Sequence, residues 1–254
     1  MPPARPTAST GTLAWARETM GALTPRDRRV LFGQAIGMQA GLAGGFLFKR
    51  NRISIDVGAI QPPDSPLAEN AARVCAEVSP SALFNHCARA YVWGCIFAKH
   101  AGIAFDTELY YAACMLHDLG LTPAYHDCAR HGECFTLDSV EGASALAKEA
   151  GWDAARQDAL AEAILLHMNV VVGLDHGAEA HLLHEAASLD CLGLRAWELT
   201  RDTRNAVVAR HPREDIKPLL LDVFTAEAKQ RPKCRAAFLI RYLLFRPMMR
   251  MAPF

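Results

Sequence analysis

The sequence has no CxxC pair and no regular spacing among its eight cysteines. This argues against a secreted disulfide scaffold. Several cysteines lie in apolar helical runs, where the thiol packs as a small hydrophobe, so we expect free cysteines in a reducing compartment. The first ten residues, MPPARPTAST, hold no apolar stretch, and we expect no signal peptide. These absences predict a cytoplasmic protein, with peripheral membrane association as the alternative.

Strand signals are also scarce, and there is no internal repeat. The best strand candidate, NRISIDVGAI (51–60), can equally be an extended connector. Helical periodicity dominates elsewhere, with prolines and glycines between the periodic segments. The sequence therefore predicts an all-α fold. The predicted helices are 11–22, 28–48, 66–77, 81–101, 107–118, 139–150, 154–168, 178–197, 213–229 and 233–245.

Charge is distributed unevenly, although the net charge is zero. Residues 1–60 carry eight Lys/Arg and three Asp/Glu, residues 61–227 carry 12 and 24, and residues 228–254 carry seven and none. The basic ends are expected either to pack on the acidic middle or to face an anionic surface. We divide the chain into an N-terminal tail with a glycine-rich apolar helical segment (1–60), a main domain (61–227) and a basic C-terminal helical extension (228–254).

The segment 30–48, VLFGQAIGMQAGLAGGFLF, has no charged residue and is flanked by basic ones. Gly33, Gly37 and Gly41 follow the small-xxx-small pattern of close helix contacts, within a chain or between two copies. We interpret the segment as a buried core helix or helical hairpin, with membrane contact as the less favoured alternative. The C-terminal AAFLIRYLLFRPMMRMAPF is expected to pack against the acidic core with its arginines outward, although it also suits an interfacial helix.

Histidine and aspartate are rare on apolar helix faces, yet four of the predicted helices carry five such residues: His86, His117, Asp118, His167 and Asp190. A buried charge must be paired or must coordinate a metal ion. Imidazole and carboxylate groups together suit a transition ion. Each residue alone also has a structural explanation, such as a satisfied core histidine or a helix-terminal cation. Taken together, the five indicate a metal site.

The arrangement resembles the HD-domain superfamily of metal-dependent hydrolases, and within it the cyanamide-hydratase-like branch. The resemblance implies an HD-domain helical bundle with additional N- and C-terminal helices. It covers residues 63–194, about half of the chain. The blocks that carry it are PDSPLAENA (63–71), SPSALFNHCARAYVWG (79–94), ELYYAACMLHDLGLTP (108–123), CFTLDSVEGA (134–143), AEAILLHMN (161–169) and EAHLLHEAASLDCLGL (179–194).

The resemblance implies one divalent ion held by His86, His117, Asp118 and Asp190. In this branch the ion is typically zinc, whereas other HD enzymes use iron, manganese or magnesium. His167 matches a further histidine of the family pattern, and we assign it to contact with substrate or water. We assign Asp118, whose second oxygen is free, as the general base. Relatives often continue the His167 block as His-Thr-Thr-Pro-Gly, whereas this chain reads HMNVVVGLDHG (167–177), which puts the substrate in doubt.

Five further residues are candidates for substrate binding: Arg89, Thr122, Phe135, Asp138 and His176. Arg89 lies three residues after His86 and is the one cation near the site that could hold a phosphate. Asp138 can equally be the N-cap of a helix beginning near Ser139, and His176 can be a surface-loop histidine.

Few cations surround the motif blocks, which favours a small neutral substrate over a nucleotide. We therefore predict a hydrolase or hydro-lyase that adds water to a small nitrile-like molecule of the cyanamide type. A phosphohydrolase acting on a nucleotide or phosphomonoester is the first alternative, and a non-catalytic HD binding or regulatory module is the second. We predict a small-molecule substrate and no nucleic-acid partner, and homo-oligomerisation stays open.

Overall fold

The computed structural model describes residues 8–48, 52–126 and 132–254. Within these ranges the chain is α-helical, and its one β-type pairing is an isolated bridge between Ile53 and Leu199. The all-α prediction is confirmed, and the candidate strand is an extended connector. The helices are α1 (Leu13–Thr19), α2 (Pro25–Phe48), α3 (Pro66–Val78), α4 (Ser81–Ala101), α5 (Thr107–Leu116), α6 (Phe135–Glu149), α7 (Ala154–Leu166), α8 (Ala178–Leu192), α9 (Arg201–Arg210), α10 (Ile216–Gln230), α11 (Arg235–Tyr242) and α12 (Phe245–Met251).

Local capping explains several helix boundaries. The side chain of Asp106 accepts a hydrogen bond from the backbone N–H of Leu109 and starts α5, as the sequence predicted. Gly102 and Gly193 adopt left-handed conformations at the ends of α4 and α8. Gly193 therefore ends α8 five residues before the predicted end at 197.

Two other helices differ from the sequence prediction. The predicted helix 139–150 begins earlier, at Phe135, so Asp138 is a buried residue inside α6 and not its N-cap. The helix 201–210 was missed because it is rich in charged and polar residues, and little of it is buried. Hydrophobic periodicity cannot find such a helix.

The centre of the fold is formed by α4, α5, α7 and α8. Helix α4 packs against α5 and α8, while α7 packs against α5, α6 and α8. The middle of α4 is apolar on nearly every side, because it is surrounded by other helices. The predicted site residues His86, His117, His167 and Asp190 lie on these four helices or at their ends.

The His117–Asp118 pair lies just beyond α5, which ends at Leu116. Asp118 leaves the helical path and begins a short 3₁₀ turn over Leu119–Leu121. Gly120 lies in this turn and not at the helix end, where it was predicted. A Cβ at Gly120 would lie 2.0 Å from the carbonyl oxygen of Phe135, so the absence of a side chain allows this close approach to α6.

The C-terminal helices pack onto the rest of the fold through buried arginines as well as apolar side chains. Arg231 is buried and donates to Asp138 on α6, with an N–O distance of 2.6 Å. Arg235 is fully buried and donates to the carbonyl oxygen of Leu165 and to Asn169. These two fix α10 and α11 to the core. Both precede the segment 236–254, whose own arginines are exposed as expected: Arg241, Arg246 and Arg250.

Helix α2 runs without a break from Pro25 to Phe48. Leu31 and Ala35 are buried against the body of the protein, but Ile36 is 74% exposed and Gly33 and Gly37 face open space. The interpretation as a buried core helix is therefore wrong for the exposed residues 32, 33, 36 and 37, and the unbroken helix is not a hairpin. Among the described residues, no helix is both long and apolar enough to cross a membrane.

Candidate metal centre

Three side chains converge between the ends of α4 and α5. Nε2 of His86 lies 3.3 Å from Nε2 of His117, and Oδ2 of Asp118 lies 3.3 Å from His117 and 3.6 Å from His86. All three residues are buried. In the described part of the chain, these three residues form the group whose side-chain ligand atoms lie close enough together to hold a metal ion.

Hydrogen bonds on the far side of each imidazole fix the state of the inner nitrogen. Nδ1 of His117 lies 2.8 Å from the carbonyl oxygen of Cys114, and Nδ1 of His86 lies 2.8 Å from Oδ2 of Asp190. Both oxygens can only accept, so each Nδ1 donates. When both rings are neutral, Nε2 of each therefore carries a lone pair. The lone pairs of His86 and His117 then point at one another beside the carboxylate of Asp118.

His167 adds a third imidazole to the same place. Its Nδ1 donates to the carbonyl oxygen of Ile164, which leaves the Nε2 lone pair 3.6 Å from Oδ1 of Asp118. That carboxylate oxygen is buried and has no hydrogen-bond partner among the described residues. The cluster therefore has several acceptors and no donor between them, an arrangement that a cation stabilises.

The electrostatics lead to the same conclusion. Burial opposes protonation of His117, but the adjacent Asp118 carboxylate outweighs it and raises the pKa of His117. Burial, together with the neighbouring His117, lowers the pKa of His167 to about 3. Burial would raise the pKa of Asp118, yet the surrounding imidazoles hold it well below its ordinary value. The site thus keeps an anionic carboxylate among imidazoles, which are the ligand groups of zinc and iron.

The distances fit a bound transition ion. Ligand atoms about 2.0–2.2 Å from an ion lie about 2.8–3.1 Å apart at octahedral angles and about 3.3–3.6 Å apart at tetrahedral angles. The separations of 3.3, 3.3 and 3.6 Å among His86, His117 and Asp118 fall in the tetrahedral range. His86, His117 and Asp118 therefore fit a divalent metal ion without rearrangement of the backbone.

Asp190 lies behind His86 and outside this group. Besides His86, its oxygens accept hydrogen bonds from Arg89 at 2.8 and 2.9 Å, from Trp93 at 2.9 Å and from Arg213 at 3.1 Å. Burial would raise the pKa of Asp190, but Arg89 and His86 hold it well below the ordinary value. In this arrangement Asp190 orients the His86 ring, as a carboxylate behind a metal-binding histidine does.

Arg89 is not available to a substrate, which corrects the role predicted for it. Its side chain is fully buried, and it also donates to the carbonyl oxygens of His211 and Pro212. Sequence spacing placed Arg89 near His86 correctly. It could not show that the guanidinium of Arg89 is hydrogen-bonded to Asp190 and to the loop after α9.

The other four substrate-binding candidates have partners of their own and do not line the cavity at the metal centre. Thr122 donates to the carbonyl oxygen of Leu119, and Asp138 is paired with Arg231. The ring of Phe135 contacts that of His167 from the side, with 5.9 Å between centroids. His176 lies in a different, polar pocket together with Asp27. Of these, Phe135 alone contacts a residue of the centre.

A cavity of about 70 Å³ adjoins the centre. One wall is a face of α8 formed by His184, Ala187, Ser188, Cys191 and Leu192, which recur at helical spacing. Nδ1 of His184 lies 3.2 Å from the carbonyl oxygen of His167. The opposite wall is apolar and comes from α2 and the C-terminal helices, through Met38, Phe224, Leu239, Leu243, Phe245 and Met248.

Sequence reasoning missed these wall residues, together with Trp93 and Arg213. The repeat of 184, 187, 188, 191 and 192 around Asp190 was a usable signal for the α8 wall. The C-terminal wall had no such signal, because bulky apolar residues in a helix predict burial without indicating what they enclose.

Comparison with known proteins agrees with this site. A family model described as HD domain matches residues 83–240, which is more than half of the chain. The match includes all five predicted site residues and reaches into the C-terminal helices. None of the curated proteins searched matches the chain.

Proposed function

Because this chain belongs to the HD-domain family, whose members are generally metal-dependent hydrolases, we propose that it adds water to a small, uncharged, nitrile-like substrate. We further propose that it falls in the cyanamide-hydratase-like branch and that its ion is zinc. The observation that carries the substrate class is the lining of the cavity at the metal centre. Among the described residues, neither lysine nor arginine contributes to that lining.

The lack of a cation in the cavity lining favours carbon over phosphorus as the electrophile. Phosphate groups are held in proteins by arginine forks or lysine. The two arginines that lie behind His86, Arg89 and Arg213, are engaged with Asp190. A nucleotide or phosphomonoester would therefore bring its charge into an apolar cavity, which is costly. A nitrile group carries no charge and avoids this cost.

His86, His117 and Asp118 would hold the ion, which supplies Lewis acidity that acidifies water and polarises the substrate. We assign Oδ1 of Asp118, which has no hydrogen-bond partner, as the acceptor of the proton that the attacking water loses. A C–O bond then forms at the nitrile carbon as one C–N π bond breaks. The proton passes to the nitrogen, and Nε2 of His167 is placed to carry it because it lies 3.6 Å from Asp118.

The test is a substrate panel of cyanamide, nitriles, isonitriles and phosphomonoesters, assayed with the zinc-loaded protein and after chelation. We expect hydration of a carbon substrate, loss of this activity with the chelator and recovery on adding zinc. Phosphate release without hydration would instead favour the phosphohydrolase. Absence of stoichiometric metal after reconstitution would overturn both enzymatic functions in favour of a binding module.

Replacing His167 with alanine separates catalysis from metal binding. Because His167 contacts Asp118 from outside the group of three, we expect the His167→Ala variant to retain its metal. Loss of a proton-transfer group typically lowers the rate about 10²–10⁴-fold. The measurement is metal content per chain beside turnover. His181→Ala is the matched control, since its imidazole bonds to the carbonyl oxygen of Val172 away from the centre. Loss of metal in His167→Ala would instead identify His167 as a ligand.

A further inference from the structure

Large apolar side chains are exposed on one side of α2 and on the adjoining C-terminal helices. Phe32 is 39% exposed and Ile36 74% exposed, while Tyr242 and Leu244 are 52% and 68% exposed. Phe32 contacts the ring of Tyr242 edge-on, with 5.8 Å between centroids, so the two elements form one continuous surface. Exposed aromatic and branched side chains in one patch mark an interaction surface.

Basic residues are exposed on the same two segments of the chain as this patch. Arg29 lies three residues before Phe32 and seven before Ile36, so the three share one face of α2. In residues 228–254 there is no acidic residue, and of the seven basic ones only Arg231 and Arg235 are buried. Lys229, Lys233, Arg241, Arg246 and Arg250 remain exposed. We name the apolar–basic face for its six central residues: Arg29, Phe32, Ile36, Tyr242, Leu244 and Arg246.

The combination of arginine with aromatic and aliphatic side chains matches an anionic lipid surface. Helices that lie in the membrane interface place Phe and Leu among the acyl chains and Lys or Arg among the headgroups. A purely apolar patch would suit another protein equally well, but the basic residues on the same segments favour a partner of opposite charge. A second copy of this chain would instead bring the same positive charge against itself.

The position of the face relative to the cavity gives this contact a role. Helices α2, α11 and α12 present the face on their outer side, and the same helices line the cavity through Met38, Leu239, Leu243 and Met248. We infer that the apolar–basic face docks the protein on an anionic membrane surface, with the substrate cavity next to the lipid. The docking is independent of the reaction proposed above.

The test is co-sedimentation of the full-length, metal-loaded protein with vesicles of two compositions. One contains phosphatidylcholine alone and the other contains phosphatidylcholine with phosphatidylglycerol. We expect binding to the anionic vesicles, weakened by added salt, and little binding to the neutral ones. Each basic residue near an anionic surface contributes about fivefold to binding, so Arg29→Ala with Arg246→Ala should lower binding about twentyfold. Ile36→Glu with Leu244→Glu should reduce it at least as much.

The matched control is Leu174→Glu, which places the same charge at a leucine that is 54% exposed outside the face. Metal content and the thermal midpoint of every variant are measured alongside, so that unfolding is not mistaken for lost docking. Failure of the unmodified protein to bind anionic vesicles would overturn the inference, as would unchanged binding of both double variants. Light scattering tests the other occupant of the face, a second copy of the chain. A protein that is dimeric, becomes monomeric with Ile36→Glu and binds no vesicles would assign the face to a second copy and overturn the inference.

Discussion

Replacing Asp118 with alanine is expected to abolish both metal retention and turnover. The carboxylate is the one anionic member of the group that includes His86 and His117, and it also faces His167. Its removal takes away a ligand and the negative charge that offsets the ion, and leaves three imidazoles facing one another. We expect no stoichiometric metal by elemental analysis after reconstitution. Turnover on the substrate panel should fall at least about 10³-fold, as when a core catalytic group is lost.

Asp175→Ala is the control for this prediction, because the Asp175 side chain is 82% exposed and belongs to no described metal group. It should retain full metal and rate. An Asp118→Ala protein that kept both would contradict the assignment of the centre. One that kept its metal but lost turnover would limit Asp118 to the catalytic role.

Replacing Asp190 with alanine is expected to cause the largest loss of stability. Four side chains, from His86, Arg89, Trp93 and Arg213, donate to its carboxylate, and both arginines are buried. Without it, two cations remain in the interior with no counter-charge. Breaking a buried ion pair on one side typically costs about 3–5 kcal/mol. The free energy of unfolding is measured in urea with chelator present, so that metal binding does not contribute.

The control is Asp158→Ala, which removes a carboxylate paired with Arg17 on the surface, where both side chains are more than half exposed. Such pairs contribute about 0–1 kcal/mol. The same samples test the ligand role that the family resemblance implies for Asp190. A variant that unfolds at an unchanged urea concentration, yet no longer holds metal, would support direct coordination and contradict the positioning role.

Much of the metal centre could be predicted from the sequence, because each candidate residue stands out within its own helical segment. The His117–Asp118 pair and the helices that carry His86 and His167 follow from apolar runs interrupted by polar residues, and the structure brings these four residues together. Even so, the helix ends before the pair, and Gly120 acts through close packing on α6. Position in sequence suggested a helix stop, but only the neighbouring helix explains why a glycine is needed.

The rest depends on contacts between residues far apart in the chain. Asp190 meets Arg213, which comes from the loop after the charged helix α9 that periodicity missed. Asp138 meets Arg231, which lies 93 residues further along the chain in the basic C-terminal extension. A single sequence gives no signal for such pairings, since a buried arginine and an exposed one look alike until a partner is known.

The cavity has two sides that come from different parts of the chain, one with the candidate metal ligands and one that is apolar. The candidate ligands lie on α4 and just beyond the end of α5. The opposite side is lined from the C-terminal helices by Leu239, Leu243, Phe245 and Met248. Substitutions among these four can change the shape of the cavity without touching the ligands. Homologues that keep the same metal centre are therefore expected to diverge in substrate preference through the C-terminal helices, as happens when one fold serves many reactions.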